Sequence, residues 1–197
     1  MRSPRSAILL LLAAGIMATV SMAQSGSLAV ERQGDRLRLT APQIHFIAGK
    51  ALERLHDGSS VSFVITVTAT AQHAKAPAFR LQERFAVSYD LWEEKFSVVQ
   101  QSGRTASRLS ADGAEDWILE RMPVPVQAVP DRQTFALRLE CSVDESVAGK
   151  NSKNTPGLTL AGLIEVFSRK PPEAPLHWEA TTSDMRLSDL KDNGKIR

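Results

Sequence analysis

Ten residues in the middle of the chain, Tyr89 to Val98, combine several side-chain types that catalytic and binding sites use. They read YDLWEEKFSV and hold three acids, a lysine, a tryptophan and a tyrosine. Glu93 and Glu94 are adjacent carboxylates, but acid–base catalysis by such a pair usually needs burial to separate their proton affinities. Water would solvate both acids on an exposed turn. The pattern therefore favours solubilising charges at the tip of a β-hairpin.

The alternation of apolar and polar residues predicts how this hairpin pairs. With Tyr89 opposite Phe96 and Val87 opposite Val98, the apolar side chains gather on one face of the two strands. A shift of one residue would mix apolar and polar side chains on both faces. The sequence therefore specifies the register of the hairpin.

The same register leaves residues 91–94 to form the turn, with Asp90 at a favoured first turn position. An apolar pair, Leu91 and Trp92, then lies at the tip. We expect this pair to fold back onto the sheet. The alternative is an exposed anchor of the kind that protein partners bind, and it makes Trp92 the residue to mutate.

A second group of acids, Asp112, Glu115 and Asp116, follows Ser110. Serine is a common helix N-cap, and carboxylates near a helix N-terminus are stabilised by the helix dipole. The dipole accounts for these acids without any catalytic role. The pattern predicts a helix that runs about to Met122 and stops where prolines follow.

The four histidines show no spacing typical of metal ligands, and a single cysteine provides no thiolate cluster. They are His45, His56, His73 and His177. No dense acidic loop suits calcium, and Gly149–Lys150 lacks the flanking residues of a phosphate-binding loop. No serine lies in a nucleophile motif. The sequence thus predicts no metal, no cofactor and no identifiable catalytic residue.

The single cysteine, Cys141, lies in the alternating segment TFALRLECSV. Period-two alternation places it on the apolar face of a strand, which predicts a buried side chain rather than a nucleophile or an intermolecular disulfide. An internal disulfide is impossible, so we expect packing of the core to supply the stability.

The first 23 residues have the pattern of a secretory signal. Arg2 and Arg5 precede the apolar run Ala7–Val20, and Ser21-Met22-Ala23 offers small residues for cleavage after Ala23. We expect export to the periplasm or the extracellular space. An uncleaved membrane anchor is the alternative, although the 14-residue run is shorter than the about 20 residues of a bilayer span.

Cleavage would leave a chain with no net charge. The protein has 24 basic and 22 acidic residues, and the signal holds two of the basic ones, so 22 of each remain. Nucleic-acid binding and docking on anionic lipid both need an excess of positive charge. We therefore expect neither.

Strand and helix patterns alternate in the order β-β-α-β-β-β-α-β-α-β. The predicted fold is α+β, with an antiparallel sheet and two to three helices packed on one of its faces. We expect residues 24–190 to form a single domain and residues 191–197 to fray.

The last predicted helix, residues 158–169, is apolar almost all the way round and includes Leu163 and Phe167. A surface helix should have a polar face. Burial within the fold is the expected explanation, and contact with a membrane, a partner or an apolar ligand is the alternative. Leu163 and Phe167 therefore join Leu91 and Trp92 as candidate partner-binding residues.

The order of four segments resembles a family of exported bacterial proteins known only as a domain of unknown function. The segments are ALERLHDGSSVSFVITVTATA, RFAVSYDLWEEKFSV, FALRLECSV and HWEATTSDMRL. The resemblance spans roughly residues 37–190 and implies the cell envelope as the compartment. It implies no activity and no catalytic residue.

The sequence favours an exported, non-catalytic module that binds a protein or an apolar ligand in the cell envelope. One alternative is an enzyme, for example a hydrolase, with a site assembled from scattered residues. Another is a module tethered to the membrane by its uncleaved signal. Its oligomeric state is left open.

N-terminal sequencing of the exported protein tests the signal prediction. We expect the mature chain to begin at Gln24, because cleavage follows small residues. A chain that retains Ala7–Val20 would contradict cleavage and favour the tethered alternative.

Overall fold

A computed structural model of the protein describes residues 24–144 and 176–191. The signal segment, the predicted helix with Leu163 and Phe167, and residues 192–197 lie outside these ranges. In chain order the elements are β1 (Gln24–Ser27), β2 (Ala29–Gln33), β3 (Arg36–Thr40), α1 (Gly49–His56), β4 (Val61–Ala71), β5 (Phe79–Asp90), β6 (Lys95–Gln100), β7 (Thr105–Leu109), α2 (Ala111–Leu119), β8 (Val124–Pro125), β9 (Phe135–Val143) and β10 (His177–Thr181).

Seven of these strands form one sheet in the order β1-β10-β9-β4-β5-β6-β7. All neighbours in it are antiparallel except β1 and β10, which pair in parallel. A smaller antiparallel sheet has the order β2-β3-β8. Its first two strands are joined at Gly34, whose φ of 62° is readily adopted by glycine.

Strand β4 lies at the centre of the large sheet and sorts its side chains as its sequence predicts. Phe63, Ile65 and Val67 are fully buried on one face. Phe63 pairs with Phe85 on one side and with Val143 on the other. The opposite face carries polar side chains, mainly threonine, serine and charged residues of β4, β5, β9 and β10. The large sheet therefore has one apolar and one polar face.

Both helices contact the apolar face. The ring of His56 in α1 packs against Tyr89 at an interplanar angle of 46°, with ring centroids 4.5 Å apart. Trp117 of α2 meets Phe85 edge-on at 6.3 Å. Ser110 caps α2 by accepting a hydrogen bond from the N–H of Gly113, as the sequence predicts.

The broad prediction of an α+β fold is confirmed, but the protein is mostly β. The described ranges hold ten strands and two helices. Strand β7 was not expected, because the polar segment TASRL has no apolar alternation and lies at the sheet edge. Its pairing with β6 is irregular between Phe96 and Val98. Strands β1 and β8 were also missed, since both are short.

Within the described ranges, no helix is long and apolar enough to span a membrane.

The hydrophobic core lies on the face of the large sheet that the helices cover. Phe63 lies within it, between Phe46 at 5.3 Å and Trp178 at 6.3 Å.

We expect Phe63→Ala to lower the free energy of unfolding by about 3–5 kcal/mol, because it removes a buried aromatic ring and leaves a cavity. Urea denaturation measures the change. Trp92→Ala, which truncates a larger but exposed ring, should change it by no more than about 0.5 kcal/mol. Similar losses for both variants would contradict this view of the core.

Candidate functional sites

The β5–β6 hairpin pairs as its sequence predicts. Tyr89 lies opposite Phe96, Val87 opposite Val98, and the register runs without irregularity to the last pair. The four residues of the turn, 91–94, therefore project beyond the ends of both strands. We call these four residues the hairpin tip.

The prediction that Leu91 and Trp92 fold back onto the sheet is wrong. Trp92 is 97% exposed and Leu91 is 59% exposed. Asp90 and Lys95 form the last pair of the two strands, so Leu91 and Trp92 lie beyond the end of the strand pairing. The tip thus presents two apolar side chains to solvent, which was the alternative interpretation.

The tip is held in a defined conformation by its own acids. Oδ1 of Asp90 accepts hydrogen bonds from the N–H groups of Trp92 and Glu93, at 2.8 and 3.0 Å. These backbone donors lower the pKa of Asp90, because they stabilise its ionised form. Glu94 takes a φ of 53° to close the turn.

A second contact ties the tip to β7. The guanidinium of Arg108 donates two hydrogen bonds to the Glu93 carboxylate, at 2.8 and 3.1 Å. This bidentate pair lowers the pKa of Glu93 and raises that of Arg108. The geometry thus gives Asp90 and Glu93 a role in bracing the turn.

A different cluster forms where the segment before α1 meets the first turn of α2. Nδ1 of His45 lies 3.1 Å from Oε2 of Glu115 and 3.8 Å from Oδ1 of Asp112. Asp112 and Glu115 share a helix face because they are three residues apart. His45 comes from 70 residues earlier than Glu115.

The helix dipole alone does not account for Glu115, which corrects the sequence interpretation. Glu115 is only 6% exposed, whereas Asp112 and Asp116 are exposed. Its Oε1 accepts a 2.6 Å hydrogen bond from the N–H of Ile47. Burial raises the pKa of Glu115, and the contacts with Ile47 and His45 oppose that rise without cancelling it.

A third cluster, of Glu140, His177 and Glu179, lies on the polar face of the large sheet. Arg138 contacts both of its carboxylates, Glu140 at 3.1 Å and Glu179 at 2.7 Å. Its acids therefore already have a cationic partner.

The prediction for Cys141 is confirmed, since its side chain is buried among core residues. Burial raises the pKa of the thiol well above its usual range, and the charge of Glu115 adds to the effect. The thiol therefore stays protonated at neutral pH and is a poor nucleophile.

Two open clefts, of about 240 and 390 Å³, adjoin at Arg36 and Pro123, beside the small sheet. Polar side chains do converge there, including Arg38 and Arg104. Neither Glu115 nor Cys141, whose pKa values are raised, lines these clefts. The clefts therefore do not combine a pocket with a tuned acid or base, as an enzyme site would.

Comparison of the chain with protein-family models, curated proteins and solved structures gives no significant match. The resemblance to an exported family of unknown function therefore stays a prediction.

We expect Glu115→Gln to gain stability relative to the native protein as the pH rises from about 4 to about 7. A carboxyl with a raised folded-state pKa stabilises the fold below its unfolded value, near 4.5, and loses that contribution as the pH rises through the folded-state pKa. Glutamine carries no charge and keeps an oxygen for the N–H of Ile47.

Urea denaturation at the two pH values, in buffer with a chelator, measures this difference. Asp116→Asn removes an exposed acid from the same helix and is the matched control. A Glu115→Gln variant that becomes relatively less stable towards pH 7 would show that the buried carboxylate is favourable there.

Proposed function

We propose that the protein is an exported, non-catalytic module that binds a protein partner in the cell envelope through its hairpin tip. The observation that carries the proposal is Trp92, 97% exposed on a turn that hydrogen bonds and an ion pair hold in place. A fully solvated tryptophan is uncommon on a surface without a role, and tryptophan is enriched among residues that dominate binding energies.

The rigidity of the tip supports this role. Binding through a mobile loop loses free energy when the loop becomes ordered. Here Asp90 already fixes the backbone of Trp92, and Arg108 fixes Glu93 from the neighbouring strand. The tip therefore presents its apolar pair at a low entropic cost.

The shape and charge of the tip favour a protein over the other apolar partners. Small-molecule sites are concave, whereas the tip projects beyond the sheet. The acids Asp90, Glu93 and Glu94 flank Trp92 in the sequence, while Lys95 pairs with Asp90 across the strands and Arg108 forms an ion pair with Glu93. This balance gives no attraction to anionic lipid. A partner with an apolar pocket fits these features best.

Two further parts of the proposal come from the sequence. The signal pattern supports export, with residues 24–190 acting as one domain. The predicted helix of residues 158–169 would be a third helix on the same face of the sheet as α1 and α2. If it is not buried there, Leu163 and Phe167 would extend the binding surface. The tethered form stays as an alternative that depends on signal cleavage.

An enzymatic function has one observation in its favour, the contact of His45 with a buried Glu115 whose pKa is raised. A substrate would have to approach from the exposed side of His45. Loss of an activity on His45→Ala, with partner binding kept, would support the enzyme instead.

We expect Trp92→Ala to weaken capture of the partner from native envelope extract by about 30-fold or more, because truncating a central aromatic hot-spot residue costs about 2 kcal/mol or more. Quantitative mass spectrometry of proteins captured on the immobilised protein measures the loss. Thermal unfolding should be unchanged within error, since Trp92 contacts solvent.

Val99→Ala is the matched control, because Val99 is an exposed apolar residue on the same hairpin but away from the tip. Arg108→Ala, which removes the brace and leaves Trp92, should weaken capture less. Equal capture by the native protein and by Trp92→Ala would remove the tip from the function.

A further inference from the structure

The cluster of His45, Asp112 and Glu115 brings one imidazole and two carboxylates to a single point. Their ligand atoms lie within 4.8 Å of one another. We propose that these three residues bind one zinc ion. The proposal concerns a site separate from the hairpin tip, and it does not depend on partner binding.

The distances suit tetrahedral zinc. Bonds of about 2.0–2.1 Å place neighbouring ligand atoms about 3.4 Å apart. Nδ1 of His45 is 3.1 Å from Oε2 of Glu115 and 3.8 Å from Oδ1 of Asp112, which bracket that value. His45 and Asp112 are largely exposed, so small rotations of their side chains can equalise the two distances.

The charges and donor types also suit zinc. Two carboxylates and a neutral imidazole supply a charge that balances a divalent cation. An imidazole ligand favours zinc and similar transition metals over calcium or magnesium, which prefer oxygen donors alone.

Glu115 provides a separate argument, because a buried carboxylate is costly unless a positive charge compensates it. Its side chain is 7% exposed, and its named contacts are the Ile47 N–H and the His45 ring. A metal ion on Oε2 would supply that positive charge.

The backbone positions the central ligand. The N–H of Ile47 binds Oε1 of Glu115, so Oε2 is the oxygen that faces His45. Such hydrogen bonds to the ligands of a metal orient them and strengthen binding. Asp112, three residues before Glu115 on α2, completes the set on the same helix face.

The site has an open side. Asp112 is 84% exposed and His45 is 58% exposed, so solvent reaches the position that faces away from Glu115. Three protein ligands and one water-accessible position make up the donor pattern of zinc sites that exchange their fourth ligand. We therefore assign water, or a small anionic ligand, to that position.

The cluster of Glu140, His177 and Glu179 has a similar composition but does not offer the same site. Arg138 forms ion pairs with both carboxylates and already balances their charge. A metal ion there would have to displace the guanidinium. This cluster serves as the control for histidine-dependent metal binding.

Isothermal titration of the chelator-treated, untagged exported protein with zinc chloride tests the proposal. We expect one zinc ion per chain and a rise in the melting temperature of about 5–10 °C at a hundredfold excess over the Kd. His45→Ala should weaken the binding at least about 100-fold, and Asp112→Asn at least about tenfold. His177→Ala should bind as the native protein does.

Asp112→Asn keeps the test decisive if His45→Ala fails to fold, because an exposed side chain contributes little to stability. No zinc binding by the native protein would overturn the proposal. Unchanged affinity in both His45→Ala and Asp112→Asn would also overturn it, as would an equal loss in His177→Ala. Trp92→Ala should bind zinc normally, which separates this result from the outcome at the tip.

Discussion

The seven-stranded sheet has one apolar face, and covering that face is the constraint on which the other features depend. Phe63, Ile65 and Val67 of the central strand would expose large apolar surfaces without a covering layer. The helices α1 and α2 supply part of that layer, through the contacts of His56 with Tyr89 and of Trp117 with Phe85. The polar face needs no such cover.

Burial of Glu115 is a consequence of this packing. Because α2 presses its apolar residues, such as Ile118, onto the sheet, the same side of the helix carries Glu115 below the surface. The segment before α1 then meets it, with the N–H of Ile47 and the ring of His45. The fold thus buries a carboxylate beside two side chains, His45 and Asp112, that solvent still reaches.

The exposure of the hairpin tip depends on where the tip lies relative to the covered face of the sheet. Leu91 and Trp92 lie beyond the last pair of β5 and β6, and within the described part of the chain both side chains are exposed. The hydrogen bonds that Asp90 accepts from the backbone N–H groups of the turn, and the ion pair of Glu93 with Arg108, fix the turn without burying it. Asp90 and Glu93, two of the acids in YDLWEEKFSV, therefore hold the turn that carries the exposed Trp92.

Local patterns were sufficient for much of the fold, because alternation and capping are properties of neighbouring residues. The bounds of β4, the register of β5 with β6, the Ser110 cap and the burial of Cys141 all follow from such patterns. The edge strand β7 was missed because its pairing leaves no apolar alternation in the sequence.

The sites were harder to predict because they depend on distant parts of the chain. Whether Trp92 folds back depends on where the covered surface ends, and the convergence of His45 with Glu115 joins positions 70 residues apart. The spacing of Asp112 and Glu115 was the only local sign of the cluster, and the helix dipole explained that spacing equally well.

We propose that the partner contacts the protein at Trp92, the exposed and braced tryptophan of the hairpin tip. Photocrosslinking in intact cells tests it most directly, with a photoreactive phenylalanine analogue placed at Trp92 or, as a control, at the exposed Arg80 on the far half of β5. We expect one discrete crosslinked protein from position 92 and none from position 80. The same crosslinks from both positions, or none from position 92, would contradict it.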